Sequence, residues 1–241
     1  MRDVAAIVAQ RRAMQERLQP VADAHGQRAE ALQEAVRNGR RDVQERLAEN
    51  KITRGHNFDL FVTPDHLAER MVLMLYKLLP CKVLPQYILE PSAGTGRIAK
   101  AISKVGAIPV CVEFAYSTYA HLLEQGYTHT RQQDFLEVKL SDFLEDNGGI
   151  GEYGFRAVLM NPPFSSMADI LHVLHAYEML AVGGILIAVM SEGSFNGDRK
   201  LVSQFRRWSE FTGGTSEKLD AGTFKESGTN VSARLFTVRK T

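Results

Sequence analysis

The chain has 241 residues, 44% of them hydrophobic and 24% charged, which suits one sizeable soluble core with an appendage and excludes a wholly disordered polymer. Its net charge of +1 hides a split: residues 1–55 carry 11 Lys and Arg against 8 Asp and Glu, residues 197–241 carry 9 against 5, and the middle carries 9 against 15. Basic flanks around an acidic centre fit a rim facing a polyanion, and fit an ordinary solvated surface equally well.

Cys81 and Cys111 make neither a disulfide framework nor a thiolate metal site, so a reducing cytoplasm is the expected compartment and packing their expected role. The apolar patch near the N-terminus, "VAAIVA", is too short for a secretory core, and no window approaches a membrane span.

Residues 1–50 contain no aromatic side chain and space apolar residues at helical intervals: Val4, Ile7 and Val8, then Met14, Leu18 and Val21, then Leu32, Val36, Val43 and Leu47. Two or three helices are predicted, broken near Pro20 or His25-Gly26 and again at Asn38-Gly39. So narrow a stripe cannot close a core alone; it packs on the main domain, on a second copy of the chain or on a partner, as a helical brace or as a nucleic-acid arm. The expected division is a helical extension, 1–55, and a main domain, 56–241.

From residue 56 short apolar runs alternate with amphipathic helices, the pattern of an α/β domain with a mostly parallel sheet. "TPDHLAERMVLMLYKLL" predicts a helix with Thr63 as N-cap, Pro64 in the first helical position and Asp65 in the first turn. Then come strand "YILE", helix "GRIAKAISKV", strand "IPVCVEF", helix "STYAHLLEQ" closed by Gly126, a short strand into "QQDF", strand "AVLM", helix "MADILHVLHAYEML" stopped by Gly183-Gly184, and strand "ILIAVM". Five strands with crossover helices predict a doubly wound sheet. "EKLDAGTF" and "SARLFTVRK" add two final strands around the loop "KESGTNV", at least one of them antiparallel.

"LEPSAGTGRIA" is a strand, a glycine-rich turn and a helix start, with backbone amides able to face an anion. Gly94, Gly96 and Ala99 also satisfy the G-x-G-x-x-A dinucleotide pattern, with Glu113 near the place of a ribose-binding acid. Glu90, directly before the loop, tilts the balance: it would repel a pyrophosphate but could accept from an ammonium or its water. A cofactor with a cationic amino-acid end and a nucleoside end fits better than a nicotinamide dinucleotide. Asp134 in "QQDF" places a third acid at a strand tip, so Glu90, Glu113 and Asp134 line one edge of the sheet, where ligands of such sheets bind. We read Glu113 as the acceptor for a ribose diol and Asp134 for an adenine amine, with Phe114 or Phe135 covering the base.

"NPPF", Asn161 to Phe164, ends a buried run on an amide and two residues without N–H donors. An exocyclic base amine or a carboxamide is a poor nucleophile because its lone pair is delocalised. Two acceptors on its two N–H bonds, the Asn161 side-chain oxygen and the Pro162 carbonyl, would bend it toward tetrahedral geometry. Pro162 and Pro163 fix φ and preorganise those acceptors, and Phe164 offers a stacking face worth about 1–3 kcal/mol for a base.

On these residues the chain from about 56 to 241 resembles the class I S-adenosylmethionine-dependent amino-methyltransferases, most closely the adenine-specific (N6) DNA methyltransferases of bacteria, phages and plasmids. "FVTP" is similar to the motif that meets the methionine end of the cofactor, here Phe61, Thr63 and Pro64. "LEPSAGTG" resembles the cofactor loop, bringing in Glu90, Pro91, Gly94 and Gly96. "VCVEF" resembles the strand with the ribose acid, "QQDF" the segment with the adenine acid, and "NPPF" the catalytic tetrapeptide. "AGTFKESGTNVSARLFTVRK" looks like the closing hairpin of phage-type members. The resemblance implies a Rossmann-like, seven-stranded sheet with an antiparallel C-terminal hairpin, S-adenosylmethionine as cofactor, and DNA methylation as the activity.

The same tetrapeptide type serves enzymes that methylate ribosomal RNA or a protein glutamine. Sequence-specific DNA members usually carry a large target-recognition domain, and this chain departs from that pattern. Relaxed specificity or a partner is therefore expected, with residues 1–50 as the candidate surface for a partner or for homo-oligomer formation. "GDRKLVSQFRRW" supplies Arg199, Lys200, Arg206 and Arg207 with Trp208, either a phosphate-contacting helix or an ordinary surface helix. Phe195 either walls the target pocket or packs on the core. His172 and His175 lack a third ligand and read as helix-surface histidines rather than a metal site, and Ser191 lacks a G-x-S-x-G elbow. The contrasting class is a methyltransferase-like domain that binds nucleic acid or a partner without turnover.

Overall fold

The computed structural model describes residues 62–80, 82–144, 154–225 and 231–241. The helices expected in 1–50, together with Phe61 and Cys81, lie outside these residues.

Helix α1 (Asp65–Leu78) leads into β1 (Tyr87–Glu90), α2 (Arg97–Lys104), β2 (Ile108–Glu113), α3 (Tyr116–Glu124) and β3 (Thr130–Gln132). A 3-10 turn (Phe135–Glu137) and the short α4 (Ser141–Leu144) precede β4 (Phe155–Met160). A second 3-10 turn (Ser165–Met167), α5 (Ala168–Glu178), β5 (Leu180–Ser191), α6 (Lys200–Phe211), β6 (Thr215–Lys218) and β7 (Ala233–Arg239) complete the order. The seven strands form one sheet in the order β3-β2-β1-β4-β5-β7-β6. Strands β1 to β5 are parallel, and β7 runs antiparallel between β5 and β6. The expected doubly wound sheet and closing antiparallel hairpin are both present.

Because successive strand residues point to opposite faces, each apolar strand feeds two cores. Leu89, Val158, Met160, Leu186, Ala188, Met190 and Phe236 pack with α5 and α6 on one face. Ile88, Ala157, Leu159, Ile185, Ile187, Val189 and Leu235 pack with α1 and α2 on the other. Helix α1 supplies Leu67, Ala68, Met71, Val72 and Leu75, one stripe at helical spacing.

Four local expectations need correction. Pro64, not Thr63, occupies the cap of α1, and the helix starts at Asp65; Thr63 is thereby released for a tertiary contact described below. Gly183 and Gly184 lie inside β5 and do not stop α5, which ends at Glu178. Between Phe155↔Leu180 and Ala157↔Ile185 the β5 strand bulges, and Gly183 at φ 80° provides the backbone conformation that an L side chain resists. The sixth strand is Thr215–Lys218, beginning right after Gly213-Gly214, and Leu219 onward turns away from the predicted "EKLDAGTF" run. Lastly, His172 and His175 are buried, at 8% and 6% exposure, because α5 is covered nearly all round.

Phe236 is fully buried at the hub of an aromatic cluster, 5.4 Å from Phe205, 6.0 Å from Phe195 and 6.1 Å from Trp208 between ring centroids. Phe236→Ala is expected to cost about 3–5 kcal/mol of stability in chemical denaturation, since the rings around it cannot collapse into the void.

Candidate active site

The carboxyl ends of β3, β2, β1 and β4 stand side by side, and each ends on a polar residue: Asp134 just past β3, Glu113 on β2, Glu90 on β1 and Asn161 just past β4. The sheet order reverses between β1 and β4, the place where open α/β sheets bind ligands.

The glycine loop after β1 is held by carboxylates. Gly94 N donates to Glu113 Oε2 at 2.7 Å, and Ala115 N donates to Glu113 Oε1 at 2.8 Å. Ala99 N, in the first turn of α2, donates to Glu90. Ala93 N and Gly96 N are taken by the carbonyls of Val112 and Ala93 at 3.1 and 2.8 Å. Gly96 caps α2 at φ 77°, where an added Cβ would meet Leu122 Cδ2 at 2.8 Å. A pyrophosphate needs such amides for itself. Here the amides of Ala93, Gly94, Gly96 and Ala99 are engaged by carboxylates and carbonyls, which counts against a pyrophosphate at those four positions.

Glu90, the last residue of β1, is 1% exposed beneath the loop. Its Oε2 is 3.8 Å from Cys111 Sγ. Burial pushes the Glu90 carboxyl well up from the ordinary glutamate range, and the neighbouring Glu113 charge pushes the same way against the Ala99 amide and the Cys111 thiol. The same burial, with Glu90 beside it, raises the Cys111 thiol. Asp134 Oδ1 accepts from Leu136 N at 2.9 Å and caps the 3-10 turn. That turn drives Phe135 into the core, 4.8 Å from the His175 ring, so Phe135 is not available to cover a base. Phe114 is the exposed ring beside Glu113, at 57%. Pro91, Gly94, Gly96, Pro64 and Pro162 are buried, and Pro163 is half-buried.

Thr63 and Asn161, 98 residues apart, are joined directly: Asn161 Nδ2 donates to Thr63 Oγ1 at 3.0 Å. The "FVTP" and "NPPF" segments thus meet at one point. Phe164 is half-buried with Met74 and Leu84 against the α1 side of the core.

On the other flank, Phe195 packs on Phe205 and Phe236 with the Arg234 guanidinium 5.3 Å from its ring centroid, the core-packing outcome. Arg199, Lys200, Arg206 and Arg207 are all exposed. Arg199 caps α6 and Lys200 begins it, after the loop that follows β5, whereas Arg206 and Arg207 lie about 9 Å further along the helix. Trp208 is buried against Tyr177 and Phe205 and cannot meet a nucleic acid.

Several contacts here have no mark in the sequence. Ser92 in the glycine loop lies 3.3 Å from His172 Nδ1, and His175 Nε2 lies 2.9 Å from the Val138 carbonyl. Asp169 accepts from Ser191 and Ser194. In sequence the first two pairs are 80 and 37 residues apart, and no spacing marks them. No group of three or more His, Cys, Asp or Glu among the described residues could hold a metal, and no helix among them is long and apolar enough to cross a membrane.

No family model and no curated protein matches the chain. Solved structures do. A type I restriction-modification methyltransferase subunit from Streptococcus thermophilus superposes with a TM-score of 0.60 at 20% identity, over 74% of this chain and 44% of that one. A Listeria monocytogenes protein assigned to the class I S-adenosylmethionine-dependent methyltransferases gives 0.57 at 15% identity, over 86% and 69%. The M protein of the type I restriction enzyme EcoKI gives 0.54 at 17% identity, over 75% and 44%. The chain therefore has the class I methyltransferase fold. It spans less than half the length of the two restriction-modification subunits.

Between the ordinary glutamate value, about 4.3, and its raised folded value, Glu90 holds a proton that the unfolded chain has lost, so stability falls as pH rises through that window. Glu90→Gln should remove this part of the fall. Thermal denaturation against pH is expected to show a flatter profile above about pH 4.3 and a higher melting temperature at neutral pH; an unaltered slope counts against the buried-carboxyl assignment.

Proposed function

We propose that this chain transfers the methyl group of S-adenosylmethionine to the exocyclic amine of adenine in DNA, with relaxed sequence specificity or with a partner that supplies it. The observation that carries the proposal is the Thr63–Asn161 bond. It ties the segment before α1 to the tetrapeptide and orients the amide: with Nδ2 turned to Thr63, the amide oxygen lies on the opposite branch.

S-adenosylmethionine, when bound, supplies an electrophilic methyl group. Thr63, the glycine loop, Glu113, Phe114 and Asp134 would hold it along the tips of β1 to β3, with Glu90 supporting the loop from beneath through the Ala99 amide. The Asn161 side-chain oxygen and the Pro162 carbonyl accept the two N–H bonds of the target amine and draw its lone pair out of conjugation, in a geometry the two prolines set beforehand. Phe164 stacks the base. Neutral acceptors suffice because the proton can leave after transfer. In duplex DNA the adenine must leave the stack to reach Asn161.

Two of the proteins that share this fold are methyltransferase subunits of type I restriction-modification systems, which favours DNA over a small molecule as substrate. Their greater length favours a partner or a longer assembly for target recognition. The exposure of Arg199 and Lys200 at the start of α6 supports a role in meeting phosphates.

Asn161→Ala is expected to lower kcat roughly 10²–10³-fold, as for loss of one preorganised polar contact, with the S-adenosylmethionine Kd altered by less than about 2-fold. Thr63→Val, which removes the orienting acceptor, should lower kcat by roughly 10-fold. Tritiated-methyl incorporation and calorimetry measure these. Mass spectrometry of DNA from cells expressing the chain should show N6-methyl-2′-deoxyadenosine. Label in ribosomal RNA or in a protein glutamine instead would move the substrate, and cofactor binding with no acceptor at all would favour a binding module.

A further inference from the structure

We propose that Asp169 is a positioning residue that locks the loop after β5 to the segment carrying the tetrapeptide, so that a target base meets a preformed wall; its consequence for catalysis rests on the methyltransferase reading above. Asp169 is the second residue of α5, where a carboxylate ordinarily sits at the surface and complements the helix dipole. Here it is 0% exposed. A carboxylate taken out of water is retained only when donors replace the lost solvent.

Its donors come from across the sheet edge. Oδ2 accepts from Ser191 N at 2.9 Å and from Ser194 Oγ at 2.6 Å, and Oδ1 accepts from the adjoining Ile170 N at 3.0 Å. Ser191 Oγ and Ser194 Oγ are 3.0 Å apart, closing the cluster. Ser191 ends β5, the neighbour of β4, and the Met160↔Ala188 register puts it level with Pro163.

Between the tetrapeptide and Asp169 the chain passes through Ser166 (φ 54°, ψ 25°) and Met167 (φ 62°, ψ 28°). Two consecutive left-handed residues, neither of them glycine, persist only where the surroundings over-determine them. The Thr63–Asn161 bond anchors one end of this strained passage and Asp169 the other. From the far side, Glu192 accepts from Asn196 Nδ2 at 2.7 Å and from Arg234 Nη1 at 3.2 Å. The loop 191–196 is thus gripped by α5 and by β7. Backbone bonds alone would close such a turn; the buried carboxylate adds a fixed distance between this loop and the tetrapeptide.

The test uses Ser194→Ala in the full chain, which deletes one hydroxyl and leaves the helix intact. It should worsen the kcat/KM for unmethylated DNA by roughly 10-fold, as for a charge-assisted hydrogen bond, with the S-adenosylmethionine Kd within about 2-fold of wild type. Asp169→Asn, which keeps one acceptor oxygen for the serines, should recover part of what Asp169→Ala loses. In hydrogen exchange without cofactor or DNA, Ser194→Ala should speed the amides of 161–168 as well as those of 191–196. Equal losses of DNA turnover and cofactor affinity, or no loss of either, overturn the proposal. If wild type methylates no DNA the functional reading fails separately, and the lock is then decided on exchange: unchanged protection in 161–168 overturns it.

Discussion

Glu113 accepting the Gly94 N–H is the contact on which the chemistry of this edge turns. Strand β1, the glycine loop and α2 would present the same backbone outline to a dinucleotide or to an aminoacyl nucleoside. What separates the two ligands is the sign of charge that the loop's amides have already received. The Glu113 carboxylate takes the Gly94 N–H and the buried Glu90 carboxyl takes the Ala99 N–H, so neither amide is left for a phosphate. A phosphate would then face repulsion in place of donors.

The same logic extends along the whole edge. The described residues with buried polar or charged side chains are Thr63, Glu90, Asp169, His172, His175 and Ser194. Each meets another part of this edge: Thr63 meets Asn161, Glu90 the start of α2, Asp169 meets Ser194, His172 the glycine loop, and His175 the segment after Asp134. Buried polar groups cost free energy unless partnered, and their partners are specific, so such a network rigidifies what it joins. Elsewhere the fold is held by apolar alternation on two faces of the sheet, which tolerates substitution more readily.

Helix α5 has a particular place in this arrangement. Asp169, His172 and His175 recur every three residues and share one side of the helix. They reach, in turn, the loop after β5, the loop after β1 and the turn after β3. The helix that follows the tetrapeptide after one 3-10 turn therefore touches the loop after β5, the loop after β1 and the turn after β3 together.

The alternation of apolar runs, the glycine turn, the three strand-tip acids and the tetrapeptide were legible from the sequence because each is a local pattern: period two or 3.6 for burial, small residues where the backbone must turn, prolines where φ must be set. The identity of the strand ends that carry Glu90, Glu113, Asp134 and Asn161 follows from such patterns alone. Tertiary structure decided how those groups are surrounded and joined. It buried Glu90 beneath the loop, turned Phe135 and Trp208 into the core while leaving Phe114 exposed, and made His172 and His175 interior residues. It also joined Thr63 to Asn161 and Asp169 to Ser194. Those last two contacts join residues 98 and 25 positions apart and form only when the sheet brings the strand ends together, and a carboxylate or an imidazole carries no local mark of whether water or protein will surround it.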